Sequence, residues 1–139
     1  MSAVLHLPPD IFDALCKAAR QGYPYEACGL LIGRREGSVH HVVAMRQARN
    51  LNRERAHDRY ELDPADYLTA ELAARDAGQE IVGIWHTHPN HPARPSETDR
   101  AAAWPNWSYL ILSVEAGGVA AVTSWRLDGE AFVEEEMAS

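Results

Sequence analysis

Two histidines near the middle of the chain are spaced for metal binding. The stretch GIWHTHPNHPARPSETDR, residues 83–100, places three histidines, a serine and an aspartate directly after an apolar run. In a β-strand the side chains at positions i and i+2 point to the same face, so His86 and His88 can share one ion while Thr87 turns away. Neutral imidazole is a good zinc ligand, but a catalytic zinc usually has three protein ligands and a water. The pair therefore calls for a third ligand.

Asp99 is the candidate for that third ligand. Three prolines after the histidines force the chain to turn, which can bring the next helix back over the end of the strand. Ser96 and Asp99 lie three residues apart and would share one face of that helix. The same Ser-x-x-Asp pattern also predicts a helix N-cap, so capping and metal chemistry are both open for this pair. The joint pattern with the two histidines is far rarer by chance than either half, and it favours a metal site.

This joint pattern resembles the motif of a known family. HTHPNHPARPSETD resembles the JAMM motif of the JAB1/MPN/Mov34 metalloproteases, with every fixed position filled. Upstream, YEACGLLIG resembles the family segment that carries a glutamate, here Glu26, and RYELDP resembles a segment that precedes the second helix. The resemblance covers about residues 3–127 and implies a cytidine-deaminase-like fold.

The resemblance also implies a role for each residue of the motif. His86, His88 and Asp99 would hold Zn2+, and Glu26 would take a proton from a water molecule and pass it to the leaving amine. Ser96 would hydrogen-bond the oxyanion. This division agrees with physical chemistry, because zinc lowers the pKa of its water to about 7 and polarises a carbonyl, leaving a carboxylate to move the proton.

Other reactive residues receive plainer interpretations. His91 could touch a substrate, but its sequence context favours an exposed loop histidine. Cys28 lies two residues after Glu26, yet its small apolar neighbours favour a buried thiol over a nucleophile. The four tryptophans are predicted to belong to the core or to a pocket wall rather than to a nucleic-acid stacking platform.

The motif needs a scaffold of mixed elements. The apolar patterns predict a strand, a helix, a hairpin, a second helix, a strand ending in the histidines, a short helix and a strand meander. The second helix is predicted at about 64–77, with Asp63 as its N-cap and with Leu68 and Leu72 in its apolar stripe. The fold class is therefore α+β, with one mixed central sheet flanked by helices in a single domain over residues 1–139.

Composition narrows the choice of partners and location. The net charge is -7, from 20 acidic and 13 basic residues, which disfavours nucleic acid as a partner. Residues 46–60 form a locally basic loop, whose side chains are either solvated or hold an acidic partner. The absence of a recognisable secretory signal or membrane-spanning run predicts a cytoplasmic protein. Cys16 and Cys28, without a CxxC, are predicted to be reduced.

Within the resemblance, the near-minimal length favours a small prokaryotic-type member. Such a member implies a zinc metallopeptidase that hydrolyses a peptide or isopeptide bond at the Gly-Gly tail of a ubiquitin-like or sulfur carrier protein. The alternatives are a non-catalytic JAMM-fold scaffold and a RadC-like DNA-repair protein. A deaminase is excluded because the chain lacks H-x-E with P-C-x-x-C. The bond type, the carrier, and whether the chain forms a homodimer stay open.

Overall fold

The elements of the protein follow the order predicted from the sequence. The computed structural model describes residues 2–52 and 60–139. Within these ranges the elements are β1 (Val4–His6), α1 (Pro9–Gly22), β2 (Cys28–Glu36), β3 (Val39–Ala48), α2 (Pro64–Asp76), β4 (Glu80–Pro89), α3 (Glu97–Ala101), β5 (Ser108–Glu115), β6 (Gly118–Asp128) and β7 (Ala131–Ala138). The α+β class is confirmed. None of the helices in the described ranges is long and apolar enough to cross a membrane.

The strands of these ranges form one sheet that closes into a barrel. The order around it is β1-β3-β2-β4-β5-β6-β7, and β1 pairs in parallel with both β3 and β7. The sheet is mixed as predicted, since β4 is antiparallel to β2 and parallel to β5. The sequence predicts a central sheet but not that this sheet closes into a barrel. The closure depends on β1, whose three residues are too few to show a pairing pattern in the sequence.

The histidine strand is buried on both faces. On β2, Leu31 packs in the hydrophobic cluster that contains α1, whereas Leu30 and Ile32 pack in the cluster that contains α2. On β4, Val82 and Ile81 divide between the same two clusters. The helices therefore cover opposite faces of these strands, as the continuous apolar start of β4 predicted.

The apolar stripe predicted for α2 is wrong, although the start of the helix is right. The Asp63 carboxylate accepts a backbone hydrogen bond of 2.9 Å in the first turn, as expected of an N-cap. Leu68 and Leu72, however, are 54% and 49% exposed, while Ala70 and Ala74 are buried. Successive helical residues are about 100° apart, so the two pairs face opposite ways. The helix therefore packs against β2 and β4 through its alanines.

The predicted basic loop is partly a strand. Arg46 belongs to β3, and Arg49 follows directly after it. One Arg49 guanidinium nitrogen lies 3.0 Å from the Asp63 carboxylate, and the Arg49 backbone N–H donates to Asp66 Oδ2 at 2.7 Å. Arg49 therefore binds acidic groups of its own chain. The remaining arginines of this segment, at positions 53–59, lie outside the described residues.

Candidate active site

His86 and His88 lie on one face at the end of β4, with their Nε2 atoms 3.1 Å apart. The His86 side chain is 1% exposed and that of His88 12%. Just before them, the indole N–H of Trp85 donates to the Arg46 carbonyl at 3.1 Å and so reaches across β2 to β3. It passes Gly29, where a Cβ would lie 2.4 Å from the indole nitrogen. The two imidazoles therefore converge at a tightly held strand end.

Asp99 on α3 completes a cluster of three potential ligand atoms. Its Oδ2 lies 3.5 Å from His86 Nε2 and 3.3 Å from His88 Nε2. In a tetrahedral site with zinc bonds of about 2.0–2.1 Å, neighbouring ligand atoms are about 3.3–3.4 Å apart. The three atoms therefore have the mutual spacing of ligands around one ion of that size.

The hydrogen bonds around the cluster leave acceptor atoms facing one another. His88 Nδ1 lies 2.9 Å from the Pro92 carbonyl. A carbonyl only accepts, so Nδ1 carries the proton and, in the neutral ring, the Nε2 lone pair faces Asp99. A lone pair and a carboxylate repel each other unless a proton or a cation lies between them. A divalent cation between them would accept the lone pairs of His88 Nε2, the Asp99 carboxylate oxygen and His86 Nε2 at the same time.

The ionisation of the three side chains also suits metal binding. Burial lowers the pKa of His86, which keeps its ring neutral. Burial alone would raise the pKa of Asp99, but the neighbouring His86 and His88 imidazoles hold that pKa well below its ordinary range. Burial alone would lower the pKa of His88, but its contacts with Asp99 and Pro92 outweigh that effect and raise the pKa. A proton therefore competes with a metal ion for His88. An ionised Asp99 and a neutral His86 are in the states that metal ligation requires.

Tyr60 orients the ring of His86. The two rings stack with centroids 4.6 Å apart at an interplanar angle of 22°. His86 Nδ1 is buried and has no hydrogen-bond partner within residues 2–52 and 60–139. Stacking therefore replaces the second hydrogen bond that usually orients a metal-binding histidine. Only the resemblance of RYELDP to a family segment singled out this region of the sequence.

Glu26 brings a second carboxylate to the histidine pair. It is 7% exposed, and one ligand atom each of Glu26, His86 and His88 lie within 4.8 Å of one another. The next residue, Ala27, is tied to β4, because its N–H donates to Thr87 Oγ1 at 2.8 Å and its carbonyl accepts from the Thr87 N–H at 2.9 Å. Thr87, which lies between the two histidines in sequence, thus anchors the segment that carries Glu26. The spacing of the histidines does not predict this role.

Two carboxylates therefore flank one histidine pair. The sequence predicted Asp99 as the metal ligand and Glu26 as the general base. The distances from Asp99 to both histidine nitrogens match those of ligands around a shared ion, and the ligand atoms of Glu26, His86 and His88 also lie close enough together to hold one. The structure brings all four side chains together, and their individual roles stay predictions.

Ser96 caps α3 and also borders the site. Its Oγ accepts from the Asp99 N–H at 3.0 Å, and its own N–H donates to Asp99 Oδ2 at 2.8 Å, which makes a capping box. The capping alternative is thus confirmed, and it uses the same oxygen that faces the histidines. Because Oγ is the acceptor in the cap, its hydroxyl proton can still be donated elsewhere.

The cluster opens into a cavity of about 640 Å³. Four residues of the sequence-predicted site line it, namely Glu26, His88, Ser96 and Asp99. Aromatic side chains form much of the remaining wall: Tyr60, Trp104 and Tyr109. Trp85 is fully buried in the core, and Trp104, which is 67% exposed, forms part of the pocket wall, so these two tryptophans have the predicted locations.

The two other reactive side chains behave as expected. Cys28 is fully buried, and burial together with nearby Glu26 raises the pKa of its thiol to about 12. Such a thiol is not a nucleophile at neutral pH. His91 is exposed at the cavity border, with its backbone carbonyl accepting a hydrogen bond from Ser113.

Known proteins resemble the chain over most of its length. Residues 8–128 match the family described as prokaryotic homologs of the JAB domain. A desampylase of Haloferax volcanii is 37% identical over 117 residues, which are 81% of this chain and 82% of the relative. A CysO-cysteine peptidase of Mycobacterium tuberculosis is 34% identical over 133 residues, or 95% of this chain and 88% of the relative.

A solved structure agrees with these matches. The solution structure of a protein from Desulfitobacterium hafniense superposes with a TM-score of 0.84 at 35% identity, covering 96% of this chain and 90% of the other. The similarity thus includes both the sheet and the segments that carry the histidines, Asp99 and Glu26. The chain belongs to the family of prokaryotic homologs of the JAB domain, and it is a hydrolase of the JAMM type.

Proposed function

We propose that this protein is a zinc-dependent peptidase that cleaves the C-terminal tail of a ubiquitin-like or sulfur carrier protein. The observation that carries the proposal is the triangle of His86, His88 and Asp99, with distances of 3.1, 3.5 and 3.3 Å, beside a second buried carboxylate. One relative is named a peptidase, which supports peptide-bond hydrolysis.

Each side chain then has a distinct task. Zinc held by His86, His88 and Asp99 would supply a Lewis acid and acidify a water molecule. Glu26 accepts one proton as the water oxygen attacks the scissile carbonyl carbon. It delivers that proton to the leaving nitrogen as the C–N bond breaks, so the acid and amine products balance. The Ser96 hydroxyl donates to the carbonyl oxygen as that oxygen gains charge.

The tail is proposed to enter as an extended strand. β4 is paired on both sides, with β2 and β5, and so offers the tail no edge beside His88. Residues 60–62 line the cavity. Segment 60–63 is paired on one side with residues 49–51, through hydrogen bonds from Leu51 N–H to the Glu61 carbonyl and from Asp63 N–H to the Arg49 carbonyl. A tail adding along its other side would pass the cluster, and glycines would permit close approach.

Cleavage of three matched tails tests this function. A carrier ending in Gly-Gly plus one residue is offered beside versions with Ala-Ala and Leu-Leu, and products are followed by mass spectrometry with and without a zinc chelator. We expect zinc-dependent cleavage of the Gly-Gly tail, slower cleavage of Ala-Ala and essentially none of Leu-Leu. Equal rates on all three would contradict the tail model. Failure to cleave any of the three carriers would contradict the proposed substrate.

Thr87→Val is expected to lower kcat by about 10- to 100-fold while zinc content is unchanged. Valine keeps the shape of threonine but removes the acceptor of the Ala27 N–H, and so loosens the segment that carries Glu26. Thr87→Ser is the matched control, because it restores the hydroxyl and should restore kcat. The measurements are steady-state kinetics and metal analysis of both variants. A valine variant with wild-type kcat would show that this hydrogen bond does not position Glu26.

A further inference from the structure

Arg94 is a cation held at the border of the proposed active site. It lines the same cavity as His88, Ser96 and Asp99, and it is exposed. In the part of the chain that the structure describes, its guanidinium has neither an ion pair nor a hydrogen bond to a side chain. An arginine fork can bind a carboxylate through two parallel hydrogen bonds. Its charge is therefore available to a ligand in the cavity.

The loop that carries Arg94 is pinned at three consecutive carbonyls. The His91 carbonyl accepts from the Ser113 hydroxyl, the Pro92 carbonyl from His88 Nδ1 at 2.9 Å, and the Ala93 carbonyl from the Thr123 hydroxyl at 2.6 Å. Ala93 is itself buried. Prolines on either side of the Ala93–Arg94 pair restrict the backbone further. The arginine is thus presented from a fixed loop, which lowers the entropy lost when it binds a partner.

The cavity is lined by acidic residues, so an anionic ligand needs a cation such as Arg94 to bind there. The acidic residues Glu26, Glu61 and Asp99 line the cavity, and they would repel a carboxylate that entered without a compensating cation. Segment 60–63 is already assigned to the tail before the scissile bond. The Arg94 loop belongs to a different segment, which follows the ligand His88. This loop is then the part of the cavity wall that can contact the residue after the scissile bond.

We infer that Arg94 binds the free α-carboxylate of a single residue that follows the scissile bond. The preferred substrate class is then a linear C-terminal extension, released as a free amino acid, rather than a tail joined to a lysine side chain. In an isopeptide the lysine carboxyl is further from the scissile carbonyl and is usually part of a peptide bond. This inference rests on the proposed function, and it names the substrate class of the same site.

Two substrates that differ at one group provide the test. One carrier ends in Gly-Gly-Xaa with a free carboxylate, and the other ends in the same residue as a carboxamide. The wild-type zinc protein should cleave the acid with a kcat/KM at least about tenfold above that of the amide. Arg94→Gln should lose this preference by slowing the acid only, and Arg94→Lys should keep part of it. Arg34→Gln, which removes an exposed arginine outside the cavity, should leave both rates unchanged.

Two results separate this inference from the function on which it rests. If the wild-type protein cleaves acid and amide equally, or if Arg94→Gln slows both equally, carboxylate recognition by Arg94 is contradicted while the peptidase function stands. If the wild-type protein cleaves neither tail in the presence of zinc, the proposed function fails and this inference fails with it.

Discussion

Glu26→Gln is expected to reduce hydrolysis by at least about 10²-fold, and up to about 10⁴-fold, because the amide cannot accept the proton of the attacking water. Zinc content should stay at the wild-type level, since Glu26 is proposed to act on the water and not to bind the metal. The fold should be retained as well, because glutamine has nearly the same shape and burying a neutral amide is less costly than burying a carboxylate. Single-turnover kinetics, metal analysis and thermal unfolding of the same preparation measure the three effects together.

Glu97→Gln is the matched control for this substitution. Glu97 is an exposed carboxylate close to the site in sequence, and it pairs with Arg100 on the surface of α3. Its loss should leave hydrolysis within a few-fold of wild type, because exposed ion pairs contribute little. Loss of zinc from Glu26→Gln would instead make Glu26 a ligand, and full activity would remove it from the proton transfer.

Removal of the Asp99 carboxylate is expected to abolish both metal retention and hydrolysis. Mutation of residues that only support metal ligands costs about 10- to 100-fold in affinity, so loss of a direct ligand should exceed that range. Asp99 also accepts the Ser96 N–H in the capping box, so Asp99→Ala should in addition lower the free energy of unfolding by about 1 kcal/mol, the net contribution of a typical hydrogen bond.

Asp99→Asn separates the two effects. Its side-chain oxygen can still accept the Ser96 N–H, but it lacks the charge of the carboxylate. We expect the asparagine variant to lose zinc in a chelator competition while it unfolds near the wild-type temperature. If both Asp99 variants keep zinc at the wild-type affinity, Asp99 serves only as part of the capping box.

The histidine pair could be predicted because strand geometry is local. Residues two apart on a strand share a face whatever the rest of the fold, so His86 and His88 converge as expected. The Ser96–Asp99 pattern was open between capping and metal chemistry, and the structure shows why the sequence could not choose. The same Asp99 carboxylate oxygen accepts the Ser96 N–H in the capping box and faces the histidines.

Other features depend on contacts between distant parts of the chain. The hydrogen bond that fixes the Glu26 segment joins Ala27 to Thr87, 60 residues apart in sequence. The barrel closes through β1, whose three residues carry no periodic signal. Leu68 and Leu72 have the spacing of a buried stripe, yet α2 packs against the sheet through Ala70 and Ala74 instead. Periodicity identifies a helix but cannot say which of its faces a distant strand will cover.

An anomalous difference map, from crystals measured on both sides of the zinc absorption edge, would locate the metal. We expect one zinc ion bound by His86, His88 and Asp99, with Glu26 beside it but not bonded to it. The map should then show a single zinc peak in bonding contact with the two histidine Nε2 atoms and the Asp99 carboxylate. The absence of a peak there, or a peak whose carboxylate ligand is Glu26 instead of Asp99, would overturn this assignment of the ligands.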